Sequence, residues 1–212
     1  MSRVVVLGAN GRTGRSVVEE ARRAGHNVTA AVRSPENVDP ATDPRPGTLT
    51  VVRADVRDPD DVRAAVAGHD VVVSTVGPPG VRPSRLYSDT AQALVSAMTV
   101  TGVRRLIAMS SAGVRHDDPD FALWYRVVAG TLLRELYSDM RRMESLVAGS
   151  DLDWTFVRPT RITDDAPTGG YRVEDGATPP RGKTITRIDL ARFIVDELTV
   201  AQWSHAAPTL AT

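Results

Sequence analysis

Three glycines at intervals of three residues follow the first apolar run of the chain. They belong to the segment Gly8-Ala9-Asn10-Gly11-Arg12-Thr13-Gly14, which precedes an amphipathic stretch. Glycines permit a tight turn and let backbone N–H groups approach a phosphate, and the N-terminus of the following helix attracts anions. Because this spacing stands where a predicted strand gives way to a predicted helix, it indicates a binding loop for the pyrophosphate of a dinucleotide. A tight turn without a ligand is the alternative.

An arginine stands where the second predicted strand ends. A protein that selects NAD usually places an acidic residue near this point, where it binds the ribose 2′-hydroxyl group. Here the residues are Arg33 and Ser34. The guanidinium group of Arg33 can pair with a 2′-phosphate in a forked, charge-assisted manner, and Arg12 adds positive charge on the same side. These residues favour NADPH over NADH, and a solvated arginine at a strand end is the alternative.

Two further strand ends carry candidate cofactor residues. Asp55 and Val56 follow the third predicted strand. We expect Asp55 to contact the exocyclic amine of adenine and Val56 to lie against its face, and a turn that caps the next helix is the alternative. The fourth strand is followed by a short turn of small residues, Thr75-Val76-Gly77, which could let the dinucleotide cross the sheet.

Short β-branched runs alternate with longer amphipathic stretches, and this alternation defines the predicted elements. It predicts one α/β Rossmann domain over residues 1–212, with a doubly wound parallel sheet in the strand order 3-2-1-4-5-6. Ligands of such sheets lie beyond the carboxyl ends of the strands, at the switch between strands 1 and 4. The predicted strands are Arg3–Leu7, His26–Val32, Leu49–Arg53, Asp70–Ser74, Arg104–Met109 and Leu152–Val157, and the predicted helices are Arg12–Ala24, Asp58–Val66, Ser84–Val100, Leu123–Ala148 and Ile188–Leu198.

The composition narrows the classes of partner. Formal net charge is zero, so nucleic acid and anionic membranes are not expected partners. The chain has no cysteine, which excludes disulfides and thiol catalysis, and its histidines show no metal-ligand spacing. No apolar run approaches the roughly 18 residues that span a bilayer, and the first strand leaves no room for a signal peptide. We therefore expect a cytoplasmic monomer or small homo-oligomer that binds no metal.

Taken together, these motifs resemble the atypical short-chain dehydrogenases of the NAD(P)H-binding, NmrA-like class. Within that class they are most similar to the NADPH-dependent flavin reductase (biliverdin reductase B) group. The glycine loop is shared widely, whereas the elements late in the chain are more specific. The resemblance rests on Gly8–Gly14, Ala31-Val32-Arg33, Asp55-Val56, Ile107–Ala112, Asp151–Pro159, Pro167-Thr168-Gly169-Gly170-Tyr171 and Thr184–Phe193.

The resemblance implies hydride transfer from NADPH to a flat, conjugated acceptor such as a flavin or a linear tetrapyrrole. It implies that a serine after strand five lies beside the nicotinamide, a position held here by Ser111 next to Ser110. The proline that follows strand six in the family corresponds to Pro159.

Two departures from the family pattern fall on the expected substrate side, around 114–136 and 158–182. The family has a histidine shortly after the proline, and this chain has Arg161, which could neutralise an acidic substrate group. The first segment is longer and carries Phe121, Trp124 and Tyr125, which could form a stacking wall or pack between helices. The second segment could equally be a surface loop.

The residues offer little classical proton-transfer chemistry. No tyrosine is followed four positions later by lysine, and Tyr137 with Arg141 comes nearest to the Tyr-x-x-x-Lys pair of classical short-chain dehydrogenases. Catalysis would then depend on positioning, with Ser111 donating to the substrate or orienting the cofactor amide. Three interpretations follow: a flavin-type reductase, a quinone or ketone reductase of a biosynthetic pathway, or a redox sensor that binds NADP(H) without turnover.

Overall fold

The computed structural model describes residues 1–38, 45–80, 85–115, 131 and 133–212. The predicted substrate-side residues Phe121 and Trp124, together with Tyr125, lie outside these ranges. Strands and helices alternate as the sequence predicts through the first six strands. The strands are β1 (Arg3–Leu7), β2 (Asn27–Val32), β3 (Leu49–Arg53), β4 (Val71–Ser74), β5 (Arg105–Met109), β6 (Asp153–Pro159), β7 (Arg161–Thr163), β8 (Arg172–Asp175), β9 (Thr184–Thr186) and β10 (Pro208–Ala211). The helices are α1 (Arg12–Arg23), α2 (Pro59–Val66), α3 (Leu86–Thr101), α4 (Arg134–Ala148) and α5 (Arg187–Asp196).

The main sheet has eight strands in the order β3-β2-β1-β4-β5-β6-β10-β8. The first six neighbours reproduce the predicted order, and all their pairings are parallel. β10 extends the sheet parallel to β6, and β8 closes that edge in the antiparallel direction. β7 and β9 form a separate two-stranded parallel sheet. The chain is therefore a single-domain α/β Rossmann-type fold.

Helices cover both faces of the sheet, because its central strands are buried on both sides. The valines of β1 and β4 are almost wholly excluded from solvent. One core lies between the sheet and helices α2, α3 and α4, and a second lies between the sheet and helices α1 and α5. Parallel strands that read as continuous apolar runs are typical of sheets covered in this way.

Helices α2 and α3 begin where they do for different reasons, a local cap in α2 and a tertiary contact in α3. Asp58 accepts hydrogen bonds from the N–H groups of Asp60 (2.9 Å) and Asp61 (3.3 Å), and Pro59 occupies the first turn, as the sequence predicts for α2. α3 begins at Leu86, two residues after the predicted Ser84. Its first N–H groups bind the carboxylate of Asp139 on α4, so a tertiary contact sets this boundary.

The segment 158–182 contains two strands, which the sequence interpretation missed by treating it as an excursion or surface loop. β7 and β8 both lie within it, and β9 and β10 were also not predicted. The predicted helix Leu123–Ala148 is described as Arg134–Ala148, since most of its first part lies outside the described residues. Among the described helices, none combines the length and apolar character that crossing a membrane requires.

Candidate cofactor and active site

The predicted site residues follow strands that end at one edge of the sheet. Leu7 and Ala108 both align with Ser74, and Met109 aligns with Val157, so β1, β4, β5 and β6 end within three residues of the same level. Because parallel strands present their carboxyl ends to a common crevice, the residues that follow them can share one ligand. The switch point lies between β1 and β4, as the sequence predicts.

The glycine loop that follows β1 is tightly packed against the turn after β4. Gly8 has a φ of +77°, and a Cβ atom there would lie 2.9 Å from the carbonyl carbon of Thr75. A Cβ atom on Gly14 would lie 2.2 Å from the backbone oxygen of Gly8. Both glycines are therefore required by the fold itself. Gly11 closes the turn by donating from its N–H to the Gly8 carbonyl oxygen at 2.9 Å.

The N-terminus of α1 has the properties of an anion site. Its N-cap residue is Gly11, which provides no side-chain acceptor, and the first turn contains no acidic residue. The first backbone hydrogen bond back into the turn is from Arg15 to Gly11, so the N–H groups of Arg12, Thr13 and Gly14 have no acceptor recorded within the described ranges. These N–H groups and the helix dipole favour a phosphate at this position.

The polar side chains of the glycine loop already have partners. The Asn10 side-chain oxygen accepts from Nε of Arg15 at 3.1 Å. Arg12 forms an ion pair with Asp164, and the Thr13 hydroxyl accepts from Nη1 of Arg187 at 2.8 Å. Neither Asp164 nor Arg187 was identified from the sequence. Only the place of Arg187 immediately before the predicted helix Ile188–Leu198 could have suggested it.

Arg33 lies where a ligand for a 2′-phosphate is needed. It follows β2, whose Ala31 aligns with Leu7 immediately before the glycine loop. The Arg33 side chain is exposed, and no described residue provides it with an ion-pair partner. Ser34 is half-buried, and its carbonyl oxygen accepts from Asn37 in the short turn that follows. The guanidinium group of Arg33 is therefore available to an external anion.

Asp55 takes part in the turn that leads into α2. Its Oδ1 atom accepts from the N–H of Arg57 at 2.9 Å, and its own N–H donates to Asp61 at 2.9 Å. Val56 packs partly against the core beside α2. This is the capping-turn arrangement that the sequence left open, and the contact of these residues with adenine stays a prediction.

The turn after β4 fastens the glycine loop to the sheet. The Thr75 hydroxyl is buried and donates to the Leu7 carbonyl oxygen at 3.0 Å. Val76 is also buried in the core, and Gly77 lies near the hydroxyl of Tyr87, 3.2 Å from where a Cβ would be. Because the side chains of Thr75 and Val76 point inward, their part in a cofactor contact would be made by the backbone.

Two serines follow β5 at the nicotinamide end of the predicted site. The Ser110 side chain is 5% exposed, and its hydroxyl has no hydrogen-bond partner among the described residues. A buried polar atom without a partner is unusual and fits a site that a ligand completes. The Ser111 hydroxyl accepts from the N–H of Gly113 at 3.2 Å and is half-exposed, so its own proton remains available for donation.

Helix α4 holds the turn that contains Ser111. The Tyr137 ring lies directly against Gly113, where a Cβ atom would be 2.3 Å from its hydroxyl oxygen. Arg141, one helical turn later, donates to the Val114 carbonyl oxygen at 3.1 Å. The two residues that come nearest to a Tyr-x-x-x-Lys pair therefore both brace this turn.

The residues that follow β6 define the far side of the crevice. Pro159 is buried at the end of β6 and aligns with Leu210 of β10. Arg161 is exposed at the start of β7, and within the described ranges it has no ion-pair partner. It lies two residues beyond Pro159 in sequence, in the separate two-stranded sheet of β7 and β9.

A buried aspartate joins the two sequence elements that were most specific to the family resemblance. Asp189 of α5 is fully buried and accepts from the Thr168 N–H at 2.8 Å, the Gly169 N–H at 3.2 Å and the Thr186 hydroxyl at 2.8 Å. Burial alone would raise the pKa of Asp189, but these hydrogen bonds outweigh burial and lower it. The Thr168-Gly169 turn is thereby fixed to the start of α5.

A family model described as NAD(P)H-binding matches residues 8–200. A chloroplastic protein of Arabidopsis thaliana is 30% identical, over 92% of this chain and 71% of its own. A 3-diazoavenalumate denitrifying reductase of a Streptomyces species is 32% identical, over 83% of this chain and 60% of its own. The chain belongs to the NAD(P)H-binding family of the NmrA-like, atypical short-chain dehydrogenase class.

Solved structures share the whole fold. A Burkholderia pseudomallei protein described as exported is 30% identical with a TM-score of 0.79, and the two chains cover each other completely. A short-chain dehydrogenase/reductase of Veillonella parvula in complex with NADP is 19% identical, with a TM-score of 0.79 over 100% of this chain and 95% of that one. The anaerobilin reductase of Escherichia coli O157:H7 is 20% identical, with a TM-score of 0.77 over 99% of this chain and 96% of that one.

Proposed function

We propose that this protein is an NADPH-dependent reductase that transfers a hydride to a planar conjugated acceptor, with a flavin as the leading candidate. The observation that carries the proposal is the uncapped N-terminus of α1, which follows β1 at the switch point, together with the exposed Arg33, which follows the neighbouring strand β2. The first feature fits a pyrophosphate and the second a 2′-phosphate.

Three kinds of relative support this assignment. The Streptomyces relative is named a reductase, the Veillonella structure contains NADP, and the Escherichia coli structure is that of an anaerobilin reductase. These names describe those proteins. They favour hydride chemistry on the same fold, and they agree with an extended, conjugated acceptor for this chain.

The chain's own residues would bind and position the reactants. The N–H groups at the start of α1 bind the pyrophosphate, and Arg33 binds the 2′-phosphate. Ser110 and Ser111 bind the nicotinamide end. Bound NADPH would supply the hydride, and solvent would supply the proton that a flavin acceptor takes up. Holding donor and acceptor face to face can lower the barrier by several kcal/mol without an acid–base residue.

The substrate-side assignments extend this proposal. Arg161 would meet an acidic group on the acceptor, because its exposed charge lies two residues beyond Pro159. Phe121 and Trp124 would provide aromatic surface, although both lie outside the described residues. The cytoplasmic location, the oligomeric state and the absence of nucleic-acid partners stay predictions.

Turnover with a panel of acceptors tests the proposed function. Purified protein is mixed with NADPH and, in parallel, FMN, riboflavin and a simple quinone, and the loss of NADPH absorbance is followed. We expect saturable turnover with a flavin. Turnover with the quinone alone would point instead to a quinone or ketone reductase. Tight binding of NADP⁺ and NADPH without turnover would point to a sensor.

A further inference from the structure

Four side chains form a polar cluster beside the N-terminus of α1. They are Arg12, Thr13, Asp164 and Arg187, which we call the Asp164 clasp. Asp164 pairs through Oδ2 with Arg12 and accepts through Oδ1 from Nε of Arg187 at 2.7 Å. Nη1 of Arg187 donates to the Thr13 hydroxyl at 2.8 Å. A single carboxylate is thus shared by two arginines directly beside the phosphate-binding turn.

The packing of two helices explains why Arg187 reaches the glycine loop. α5 lies next to α1 on the same face of the sheet. Arg187 contacts Thr13, and Arg192 further along α5 contacts Glu20 further along α1, so the two helices run in the same direction. Their N-termini therefore meet at the carboxyl edge of the sheet. Arg187 is the first residue of α5, and its side chain is only 13% exposed.

The two ion pairs of Asp164 differ in solvent exposure, because Arg12 is exposed and Arg187 is mostly buried. The side chains of Arg12 and Asp164 are 72% and 53% exposed, so their ion pair contributes little to stability and is readily exchanged. Arg187 is held by packing and by Thr13, and its guanidinium fork has N–H groups on Nη2 for which the described residues provide no acceptor. Arg187 can therefore stay in place when its anion changes.

The Asp164 carboxylate occupies the position that a bound anion would take. The free N–H groups of α1 attract negative charge, and the two carboxylate oxygens pair with two arginines much as two oxygens of a phosphate would. Two arginines against one carboxylate leave a net positive charge at the clasp. Asp164 itself begins an exposed run, 164–170, so it can move away without opening the core.

We propose that Arg187, assisted by Arg12, is a diphosphate-binding residue of the dinucleotide site, and that Asp164 is an internal anion which the diphosphate displaces. This inference rests on the proposed function, because it assumes a dinucleotide bound at the glycine loop. It adds Arg187, far from the glycine loop in sequence, to the residues that bind the diphosphate. It also makes Asp164 a residue that limits cofactor affinity.

Matched variants test the inference through dinucleotide affinity. Asp164→Asn is compared with Asp165→Asn, which removes the same charge from the neighbouring exposed residue. Arg187→Gln is compared with Arg187→Lys, which retains the charge, and thermal melts verify that each variant folds. Dissociation constants for NADP⁺ and NAD⁺ are measured by calorimetric titration for each protein.

The expected changes are specific to the diphosphate, which the two dinucleotides share. Asp164→Asn should lower the dissociation constants of NADP⁺ and NAD⁺ by about threefold to fivefold, because a competing exposed ion pair is lost. Asp165→Asn should change neither dissociation constant. Arg187→Gln should weaken the binding of both dinucleotides by at least about tenfold, and Arg187→Lys should retain part of the affinity. Arg33→Gln should weaken NADP⁺ alone.

Failure of the inference can be told apart from failure of the proposed function. If the wild-type protein binds NADP⁺ but Asp164→Asn leaves affinity unchanged or lowers it, the displacement proposal is wrong and the cofactor site stands. If folded Arg187→Gln binds both dinucleotides as tightly as wild type, Arg187 is not a diphosphate ligand. If the wild-type protein binds neither dinucleotide, the proposed function and this inference fall together.

Discussion

At the scale of single residues, the candidate site contains two groups of side chains. One group supports the glycine loop, and the other has polar atoms available to a ligand. The Thr75 hydroxyl donates to the backbone just before the glycine loop, and the Asn10 side-chain oxygen accepts from Arg15 of α1. Arg33 and the Ser110 hydroxyl have no partner among the residues described. Because unused charges and buried unpaired donors are where a ligand gains most, the second group should determine cofactor choice and orientation.

Reversal of charge at Arg33 should change cofactor preference. Arg33→Asp removes a charge-assisted contact and introduces repulsion, so NADPH binding should weaken by about 2 kcal/mol or more. NADH lacks the 2′-phosphate and should be affected far less. Titration with both cofactors measures this, with Arg142→Asp, an exposed arginine of α4, as control. Unchanged NADPH affinity would remove Arg33 from the site.

The Ser111 hydroxyl should act on the hydride step more than on binding. Ser111→Ala keeps the size of the turn but loses the donor, so the single-turnover rate should fall while the Kd for NADPH stays nearly constant. Rapid mixing with a flavin acceptor separates the two quantities. Equal single-turnover rates in wild type and variant would show that Ser111 has no part in the reaction.

At the scale of elements, α5 and the loop before β8 are joined by Asp189. Its carboxylate organises the Thr168-Gly169 turn and the start of α5, and Arg187 at that start reaches the glycine loop. Burial of Asp189 makes this junction sensitive to any change in its hydrogen bonds. The cofactor side and the far edge of the sheet are thereby connected through one buried side chain.

Asp189→Asn should destabilise the fold. The amide can accept at only one atom, so it cannot replace a carboxylate that accepts from two backbone N–H groups and a hydroxyl. Loss of buried, charge-assisted hydrogen bonds should cost about 2 kcal/mol or more of unfolding free energy. Urea denaturation measures it, and Asp165→Asn is the exposed control. A loss below about 0.5 kcal/mol, the range of ordinary surface changes, would contradict this role.

The same carboxylate predicts part of the response to acid. The pKa of Asp189 is lower in the folded protein than its ordinary value. Its ionised form therefore stabilises the fold above the ordinary carboxyl pKa, and this stabilisation is lost as pH falls through the lowered folded value. Unfolding free energy should thus decline in acid, and less steeply in Asp189→Asn. Parallel declines in the two proteins would show that Asp189 is not involved.

At the scale of the whole molecule, the sequence predicts the first six strands and their order because four of the five connections between them contain an amphipathic helix. β8 and β10 were missed for a physical reason. β8 has four residues, three of them exposed, and it is ordered by pairing with β10, more than thirty residues later in the chain. Strands that depend on such tertiary pairing leave little local pattern.

The residues of the candidate site also differ in whether the sequence could predict them. The spacing Gly8-x-x-Gly11-x-x-Gly14 and the place of Arg33 after a strand are local signals, and the structure places both at the carboxyl edge of the sheet, after the neighbouring strands β1 and β2. Arg187 and Asp164 lie at least 150 residues from the glycine loop in sequence, and their roles follow from the packing of α5 on α1. No spacing rule connects residues that meet only in the folded chain.

The most direct test of the account is a side-by-side equilibrium titration of the purified protein with NADPH and NADH. An uncapped α1 N-terminus and an Arg33 that has no partner among the described residues predict binding of both cofactors, with NADPH tighter by at least about tenfold, the scale of a charge-assisted contact. Equal affinities, a preference for NADH, or no binding of either cofactor would contradict the central claim.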